Sequence, residues 1–256
     1  MRDEGRMIPT VVVDIGNTRI KWGLCADNWV HRGASLSPDE PAEWATKAAE
    51  WQLGKGTSWA IAAVHPERLK RIEDWIRVRG DALRVLRDWR DLGLPMKVDH
   101  PERVGMDRLL NAVAARSAGK IPAIIVDAGT AITVDYVDEA GAFCGGAILP
   151  GLRMMGEALH KFTAQLPLIE PPTAVPAVPG KSTQEAIEAG MYWAAVGGVR
   201  AVVTKLEGFA VHDDLVLYVT GGDGQLLGKN YLGMPALYWQ QMTLEGIRVA
   251  AAYDGS

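Results

Sequence analysis

The pattern of apolar and polar positions along the chain predicts strands and helices in an order that occurs twice. In the first half, continuous apolar runs predict buried strands, and apolar residues at helical spacing predict helices between them. The predicted elements are strands over 11–25, 28–36, 59–64 and 83–86, and helices over 41–52, 66–79 and 104–116. Short strands that alternate with helices are typical of an α/β fold.

The second half repeats this plan after a boundary near Lys120. The predicted elements are a hairpin over 124–137, strands over 142–149 and 215–220, and helices over 151–162, 182–206 and 244–252. Ser182 and Glu185 predict a capping box at the start of the long helix. The segment 167–179 contains five prolines and is predicted to be irregular.

A short phrase within this plan also occurs twice. Residues 11–18 form an apolar run followed by Asp-x-Gly and polar residues, and residues 124–131 repeat that run and its Asp-x-Gly. A strand that ends in Asp-x-Gly and turns back is predicted to be a hairpin with a carboxylate at its tip. Glycine allows the backbone to approach a phosphate closely, and the carboxylate can hold a cation that neutralises the phosphate. Two such tips predict a duplicated fold that closes on a nucleotide.

Composition excludes several other classes. The 256 residues carry a net charge of -4, and the one loose basic cluster, at Arg68, Lys70 and Arg71, is predicted to be a solvated helix face, so no nucleic-acid partner is expected. The two cysteines predict neither a disulfide framework nor a metal cluster. Neither a secretory signal nor a membrane-spanning stretch is recognised, so a cytoplasmic protein without a membrane partner is expected.

Seven short motifs occur in a characteristic order along the chain. They are Asp14-x-Gly16-Asn17-Thr18, Gly105-x-Asp107-Arg108, Asp127-x-Gly129-Thr130-Ala131, Gly145-Gly146-x-Ile148-x-Pro150-Gly151, Leu166-Pro167, Ser182-Thr183 and Thr220-Gly221-Gly222. This series resembles the type III pantothenate kinases, which belong to the actin, hexokinase and Hsp70 nucleotide-binding superfamily. The resemblance implies duplicated actin/hexokinase-like (ribonuclease H-like) halves, with mixed sheets flanked by helices and a cleft between them. The halves are predicted at 8–119 and 120–256.

The resemblance implies that this protein phosphorylates pantothenate to 4′-phosphopantothenate, the first step of coenzyme A biosynthesis. Its cofactors would be ATP, Mg²⁺ and a monovalent cation, either K⁺ or NH₄⁺. Asp14 would help to hold Mg²⁺ through the phosphates or water, and Asp127 would help to bind the monovalent cation. The residues implied to contact ATP are Asp14, Ile15, Gly16, Asn17, Thr18, Arg19, Ile20, Lys21, Thr130, Gly221 and Gly222.

The resemblance also assigns the pantothenate site. Asp107 would be the base that accepts the hydroxyl proton, and Thr183 would reach the substrate from a partner subunit or from the other half. The implied pantothenate-binding residues are Val98, Gly105, Met106, Asp107, Arg108 and Thr183. The family usually has Tyr nine residues before the catalytic Asp, where this chain has Val98, so one substrate contact is expected to be altered.

Several of these residues also have a purely structural explanation. Asp107 and Thr183 could cap helices, Asp14 and Asp127 could be turn residues, and Gly221-Gly222 could be a simple strand-to-helix turn. A homodimer is implied by the resemblance. The face of the long helix formed by Ile187, Met191, Ala194, Ala195 and Val199 could pack against a partner helix or in the core.

Two other functions are compatible with the same motifs. One is a different small-molecule phosphotransferase, which would keep both hairpins without needing residues 105–108. The other is a regulatory accessory protein, which should tolerate the loss of Asp107 or Asp127. Both aspartates are present, which favours catalysis.

Overall fold

The chain folds, in this computed structural model, into two units that are each built around one five-stranded sheet. The structure describes residues 7–16, 19–63, 65–210, 214–228 and 234–253. Contacts divide the chain into Met1–Gly119 with Gln241–Ser256, and Lys120–Gln240. The sequence-based division placed 241–256 in the second half, which is wrong, because the closing helix packs on the first sheet. The cleft expected between the halves stays a prediction.

The helices and strands follow the predicted order with small shifts at their ends. The strands are β1 (Val11–Ile15), β2 (Ile20–Ala26), β3 (Trp29–Leu36), β4 (Ser58–Ala63), β5 (Ala82–Leu86), β6 (Ala123–Ala128), β7 (Ala131–Val137), β8 (Phe143–Pro150), β9 (Val216–Thr220) and β10 (Ala236–Tyr238). The helices are α1 (Pro41–Glu50), α2 (Pro66–Arg79), α3 (Met106–Ser117), α4 (Leu152–Phe162), α5 (Thr183–Glu207), α6 (Gly224–Leu227) and α7 (Met242–Ala251). The short elements β10 and α6 and the 3₁₀ turns Trp89–Leu92 and Pro101–Arg103 were not predicted.

The two sheets have the same topology. The strand order is β3-β2-β1-β4-β5 in the first sheet, and β8-β7-β6-β9-β10 in the second when it is read in the same direction. In each sheet the first three strands along the chain pair in antiparallel fashion. The remaining two strands run parallel to the central strand, which is β1 in the first sheet and β6 in the second. The prediction of two related halves is therefore confirmed, and the two Asp-x-Gly tips follow equivalent central strands.

The first unit is held by an aromatic core and by α7. Five of the nine tryptophans, Trp22, Trp44, Trp51, Trp59 and Trp75, pack together beside the sheet, with ring centroids 4.9–6.2 Å apart in the contacting pairs. Helix α7 contacts all five strands and also packs along α3. These contacts fix α3, whose first turn carries the Gly105–Arg108 motif.

Helices α3 and α7 approach each other closely at a glycine. A Cβ atom added to Gly246 would lie 2.0 Å from the carbonyl oxygen of Leu110, so only glycine allows this crossing. One turn away, the buried Thr243 hydroxyl donates to Asn111 Oδ1 at 2.8 Å. A buried polar pair of this kind fixes the relative position of the two helices.

The second unit is centred on α5. Ile187, Met191, Ala195 and Val199 are buried against the second sheet, so these four residues face the unit's own core rather than a partner helix. Ala194, the fifth residue of the predicted face, is exposed. The core-helix alternative is therefore confirmed for this face.

The proline-rich segment is irregular, as predicted, and it is fixed to α4 and α5. His160 Nδ1 lies 2.8 Å from the Leu166 carbonyl, and Gly156 lets the backbone at Ile169 pass close by.

The Ser182 hydroxyl accepts from Glu185 N–H at 3.2 Å, but the Glu185 carboxylate accepts from Lys181 N–H instead of Ser182 N–H. The predicted capping box is thus only half formed.

Candidate active site

The first hairpin tip places Asp14 at the end of β1. Asp14 is 8% exposed and lies opposite Lys21 on β2, whose Nζ is 3.9 Å from Asp14 Oδ2. On its other side the neighbouring residue in register is Ala62 of β4. Asp14 therefore has a cation on one side and an apolar residue on the other.

In the turn after Asp14, both the N–H group and the carbonyl group of Gly16 form hydrogen bonds. Gly16 N–H donates to Arg19 O at 3.1 Å, and Gly16 O accepts from Arg68 Nη1 at 3.2 Å. Since this N–H closes the turn, it is not a free donor for a phosphate. Arg19 is exposed, and the predicted ATP contacts Asn17 and Thr18 lie outside the described residues.

Ile15 and Ile20 pair at the base of this turn. Both side chains are completely buried in the core of the first unit. A nucleotide could therefore meet them only through their backbone.

The second hairpin tip has the same strand pairing as the first, but different side chains flank its aspartate. Asp127 of β6 lies between Thr133 of β7 and Thr220 of β9, so oxygen-bearing side chains flank it on both sides. Gly129 N–H donates to Ala131 O at 3.0 Å and closes a turn that is one residue shorter than the first. Thr130 is exposed at the tip.

Two further segments contact the second hairpin tip, one directly after β9 and one directly after β8. Gly221 has a φ of +90°, and a Cβ there would lie 2.3 Å from Ala128 O and 2.6 Å from Asp127 Oδ1. Gly151 N–H donates to Thr130 O at 3.2 Å. The fold itself therefore requires Gly221, whereas the space beside Gly222 is open and could admit a ligand.

Asp223 is a residue at this tip that sequence reasoning missed. Its N–H donates to Ala128 O at 3.0 Å, and burial raises the pKa of its carboxyl group, although the nearby Arg153 opposes that shift. Arg153 also forms an ion pair with Glu170, with 2.6 Å between Nη2 and Oε2. The position of Asp223 directly after Gly221-Gly222 was the available signal.

Asp107 lies in the first turn of α3. Its Oδ1 accepts a hydrogen bond from Arg108 N–H at 2.9 Å, and the same N–H also donates to Gly105 O at 3.1 Å, so the carboxylate shares this donor with the backbone. A Cβ at Gly105 would lie 2.6 Å from the same Oδ1, so a side chain there would require the Asp107 carboxylate to move. Asp107 thus adds a second acceptor to an N–H group that the backbone already bonds, which supports the capping explanation only in part, and its catalytic role stays a prediction.

The remaining predicted substrate residues are at least partly accessible. Val98, Met106 and Arg108 are half-buried in the first unit, and Val98 lies between the two 3₁₀ turns. Thr183 is exposed in the first turn of α5 in the second unit. The first unit thus brings together Asp14, Lys21 and the turn at Gly16, and the second brings together Asp127, Thr130 and Gly221.

The residues present fit the implied ions in different ways. Among the residues that the structure describes, no three His, Cys, Asp or Glu side chains form a metal-binding group. Mg²⁺ commonly keeps several waters and binds through one or two carboxylates and substrate phosphates, so Asp14 alone is compatible with it. At the second tip, the buried Thr133 Oγ1 has no hydrogen-bond partner among the described residues. An oxygen of this kind next to Asp127 in register is compatible with a monovalent cation.

Comparison with known proteins decides the family. A family model described as type III pantothenate kinase matches residues 10–205 of the 256. The chain belongs to the type III pantothenate kinase family. A type III pantothenate kinase from Geotalea uraniireducens is 32% identical over 93% of this chain and 96% of its own length. One from Acidiphilium cryptum is 34% identical over 94% of this chain and 93% of its own length.

Solved structures confirm the fold expected for this kinase family. A proposed 2-dehydro-3-deoxygalactonokinase from Sinorhizobium meliloti has a TM-score of 0.57 at 13% identity, covering 94% of this chain and 97% of that one. A Campylobacter jejuni protein, proposed to be a Baf family transcriptional activator, has a TM-score of 0.57 at 20% identity, covering 94% of this chain and 96% of that one. These likenesses concern the fold alone, and they support the duplicated actin/hexokinase-like architecture.

No described helix of this family member combines the length and the apolar character needed to cross a membrane.

Proposed function

We propose that this protein transfers the γ-phosphoryl group of ATP to the 4′-hydroxyl group of pantothenate, the first step of coenzyme A biosynthesis. The observation that carries the proposal is the Gly105–Arg108 motif at the start of α3, in a chain that matches pantothenate kinases over nearly its whole length. A protein that only shared the superfamily fold would not need this motif. Cytoplasmic location is part of the same proposal.

Asp107 is the proposed base. Because Oδ1 accepts the Arg108 N–H, the carboxylate is held in one orientation and Oδ2 is the oxygen that we assign to the hydroxyl proton. Phosphoryl transfer passes through a loose transition state, so orienting the hydroxyl contributes more than strong basicity does. One oxygen of the carboxylate would then contact the first turn of the helix, and the other would act as the base.

The two hairpin tips are proposed to serve the nucleotide. Asp14 would hold Mg²⁺ through water or phosphate oxygens, and Lys21 beside it would contact a phosphate. Mg²⁺, when bound, would neutralise charge on the β- and γ-phosphates. At the second tip, Thr130 and Gly222 would contact ATP, whereas Gly221 shapes the loop that holds them.

Asp127 is proposed to bind K⁺ or NH₄⁺. Thr133 and Thr220 flank Asp127 in the sheet register, whereas Asp14 has Lys21 as its neighbour. A carboxylate flanked by hydroxyl oxygens suits a weakly hydrated monovalent ion. The pantothenate site would be formed by Val98, by Gly105 to Arg108, and by Thr183.

A homodimer is proposed through the exposed side of α4 and α5. An apolar groove of about 710 Å³ runs between these helices and is lined by Met154, Phe162, Gly190 and Ala194, among others. Phe162 is 78% exposed and Met154 is 42% exposed. Large exposed apolar side chains on one face are typical of an interaction surface.

Sedimentation should show a dimer at micromolar concentration, and Phe162→Glu should shift it to a species of 27.7 kDa. A wild-type monomer with full activity would exclude an obligate dimer.

One assay separates the proposed function from its alternatives. ADP release should be measured with MgATP, K⁺ and either pantothenate or a panel of related alcohols, and the product should be identified by mass. Pantothenate should give the highest kcat/KM and a phosphorylated product. Preference for another alcohol would indicate a different phosphotransferase, and no turnover with K⁺ or NH₄⁺ would favour an accessory protein.

A further inference from the structure

Asp223 lies on the loop that joins β9 to α6, next to the second hairpin tip. Its N–H group donates to Ala128 O at 3.0 Å, and its own carbonyl oxygen accepts the N–H groups of Leu226 and Leu227 at 3.1 and 3.0 Å. The peptide groups on both sides of its Cα atom are therefore fixed. The backbone thus holds the Asp223 side chain at a defined place beside the tip.

The carboxylate of Asp223 is half-buried and lacks a donor. It directly precedes α6 but caps none of that helix's N–H groups, and no other hydrogen-bond donor of the described residues reaches it. The nearby Arg153 is bonded to Glu170, with Nη1 3.1 Å from Oε1 and Nη2 2.6 Å from Oε2. Burial raises the pKa of the Asp223 carboxyl group, as expected for a carboxylate that has lost water without gaining a donor. A ligand with hydroxyl groups would supply the missing donors.

A ligand can reach this carboxylate across Gly222. Gly222 is exposed, and no described atom lies within 4 Å of the position that its Cβ would take. Gly221 packs on the tip, since a Cβ there would lie 2.6 Å from Asp127 Oδ1. One open residue therefore separates the residue packed on the tip from Asp223. A molecule that is bound at the tip through its phosphates has its next group beside Asp223.

In a nucleotide, the group next to the phosphates is ribose. Its 2′ and 3′ hydroxyls are neighbouring donors, and an ionised carboxylate has two acceptor oxygens. Dinucleotide-binding folds use an acidic residue in the same way, as an acceptor for a ribose hydroxyl.

We propose that Asp223 is a specificity-determining residue, which accepts hydrogen bonds from the ribose hydroxyls of the bound nucleotide. The carboxylate then selects nucleotides with an intact diol over those that lack it. This inference rests on the proposed function, because it takes the second hairpin tip to be part of an ATP site.

The test compares MgATP with the magnesium complex of 2′,3′-dideoxyadenosine triphosphate, which lacks both ribose hydroxyls. Binding of each to the full chain is measured by calorimetry without pantothenate. Wild-type protein should bind MgATP about 10- to 100-fold more tightly, because hydrogen bonds to a charged group are at stake. Asp223→Ala should reduce this preference to about twofold or less, since binding of the dideoxy nucleotide loses no hydrogen bond. Asp223→Asn keeps one acceptor oxygen and should retain part of the preference.

Asp214→Ala is the matched control. Asp214 is an exposed aspartate of the same unit, and it lies before β9 whereas Asp223 follows it. Its replacement removes the same charge and should leave the preference for MgATP unchanged. The Asp223 side chain makes no hydrogen bond that holds the fold, so thermal unfolding should show that every variant folds.

Three results would overturn the inference. They are equal binding of the two nucleotides by wild-type protein, an undiminished preference in Asp223→Ala, or no MgATP binding by wild-type protein. Normal pantothenate turnover with a preference that does not depend on Asp223 would reject this inference and keep the proposed function. A preference that depends on Asp223, without pantothenate turnover, would do the reverse.

Discussion

Lys21 lies directly across the first hairpin from Asp14, with Nζ 3.9 Å from Oδ2. The equivalent partner of Asp127 in the second hairpin is Thr133. One tip therefore combines a carboxylate with a cation, and the other combines a carboxylate with hydroxyl groups. This difference is what the proposed roles require, with Lys21 at a phosphate and Asp127 at a monovalent cation.

Replacement of Lys21 tests the first of these roles. Lys21→Met should raise the KM for ATP about tenfold or more, because a charged contact to phosphate is lost. The Lys21 side chain is 42% exposed, so its ion pair should add little to stability and the Tm should change only slightly. Steady-state kinetics and thermal unfolding measure the two effects, with Lys47→Met on α1 as the control. An unaltered KM for ATP would remove Lys21 from the site.

Replacement of Asp127 tests the second role. Asp127→Asn keeps the size of the side chain but removes its charge, so stimulation by K⁺ or NH₄⁺ should be lost. Titration of the rate with each cation measures this, and the increase of Tm with K⁺ concentration gives a readout that does not depend on turnover. A normal K⁺ response in a folded Asp127→Asn protein would place the cation elsewhere.

The crossing of α3 and α7 should be intolerant of any side chain at Gly246. Gly246→Ala would place a Cβ atom against the Leu110 carbonyl, and overpacking of this kind costs about 1–3 kcal/mol or more of unfolding free energy. Gly197→Ala is the control, because nothing lies near its Cβ position on α5 and alanine favours helix by about 0.5–1 kcal/mol. Urea denaturation should give a lower unfolding free energy than wild type for Gly246→Ala and a higher one for Gly197→Ala. Equal stabilities would mean that the crossing is looser than described.

Val98 offers a gain-of-affinity test. The residue is half-buried between the two 3₁₀ turns, before the Gly105–Arg108 motif. Val98→Tyr should lower the KM for pantothenate about two- to tenfold by adding one hydrogen bond, with kcat nearly unchanged. Val98→Phe adds the ring without the hydroxyl and separates the two effects. No change in either variant would show that position 98 is outside the pantothenate site.

Local pattern was enough to predict most elements, because the information lies within each segment. The helix over 66–79 has the predicted ends, since Pro66 starts it and Gly80, with a φ of +76°, ends it. The contact of Arg68 with Gly16 and the packing of α7 on the first sheet join distant segments, so no local signal predicts them. The short strand β10, which pairs with β9, has three residues, too few for a pattern.

The candidate site divides in the same way. Motif order indicated the two tips and the start of α3, but not which atoms are already used there. Gly16 N–H and Asp107 Oδ1 are both occupied by bonds within the protein, and only the structure shows this. Asp223 entered no motif, and its raised pKa depends on burial that only the folded chain provides.

The proposed kinase activity, with Asp107 as its base, is tested most directly by product formation from pantothenate by wild type and by Asp107→Asn. Mass spectrometry should detect 4′-phosphopantothenate from the wild-type protein with MgATP and K⁺. Asp107→Asn can still accept the Arg108 N–H, so it should fold and bind MgATP, with kcat reduced about 10²- to 10⁴-fold through loss of the base. Wild-type protein that forms no phosphopantothenate, or a folded Asp107→Asn variant with near-normal kcat, would contradict it.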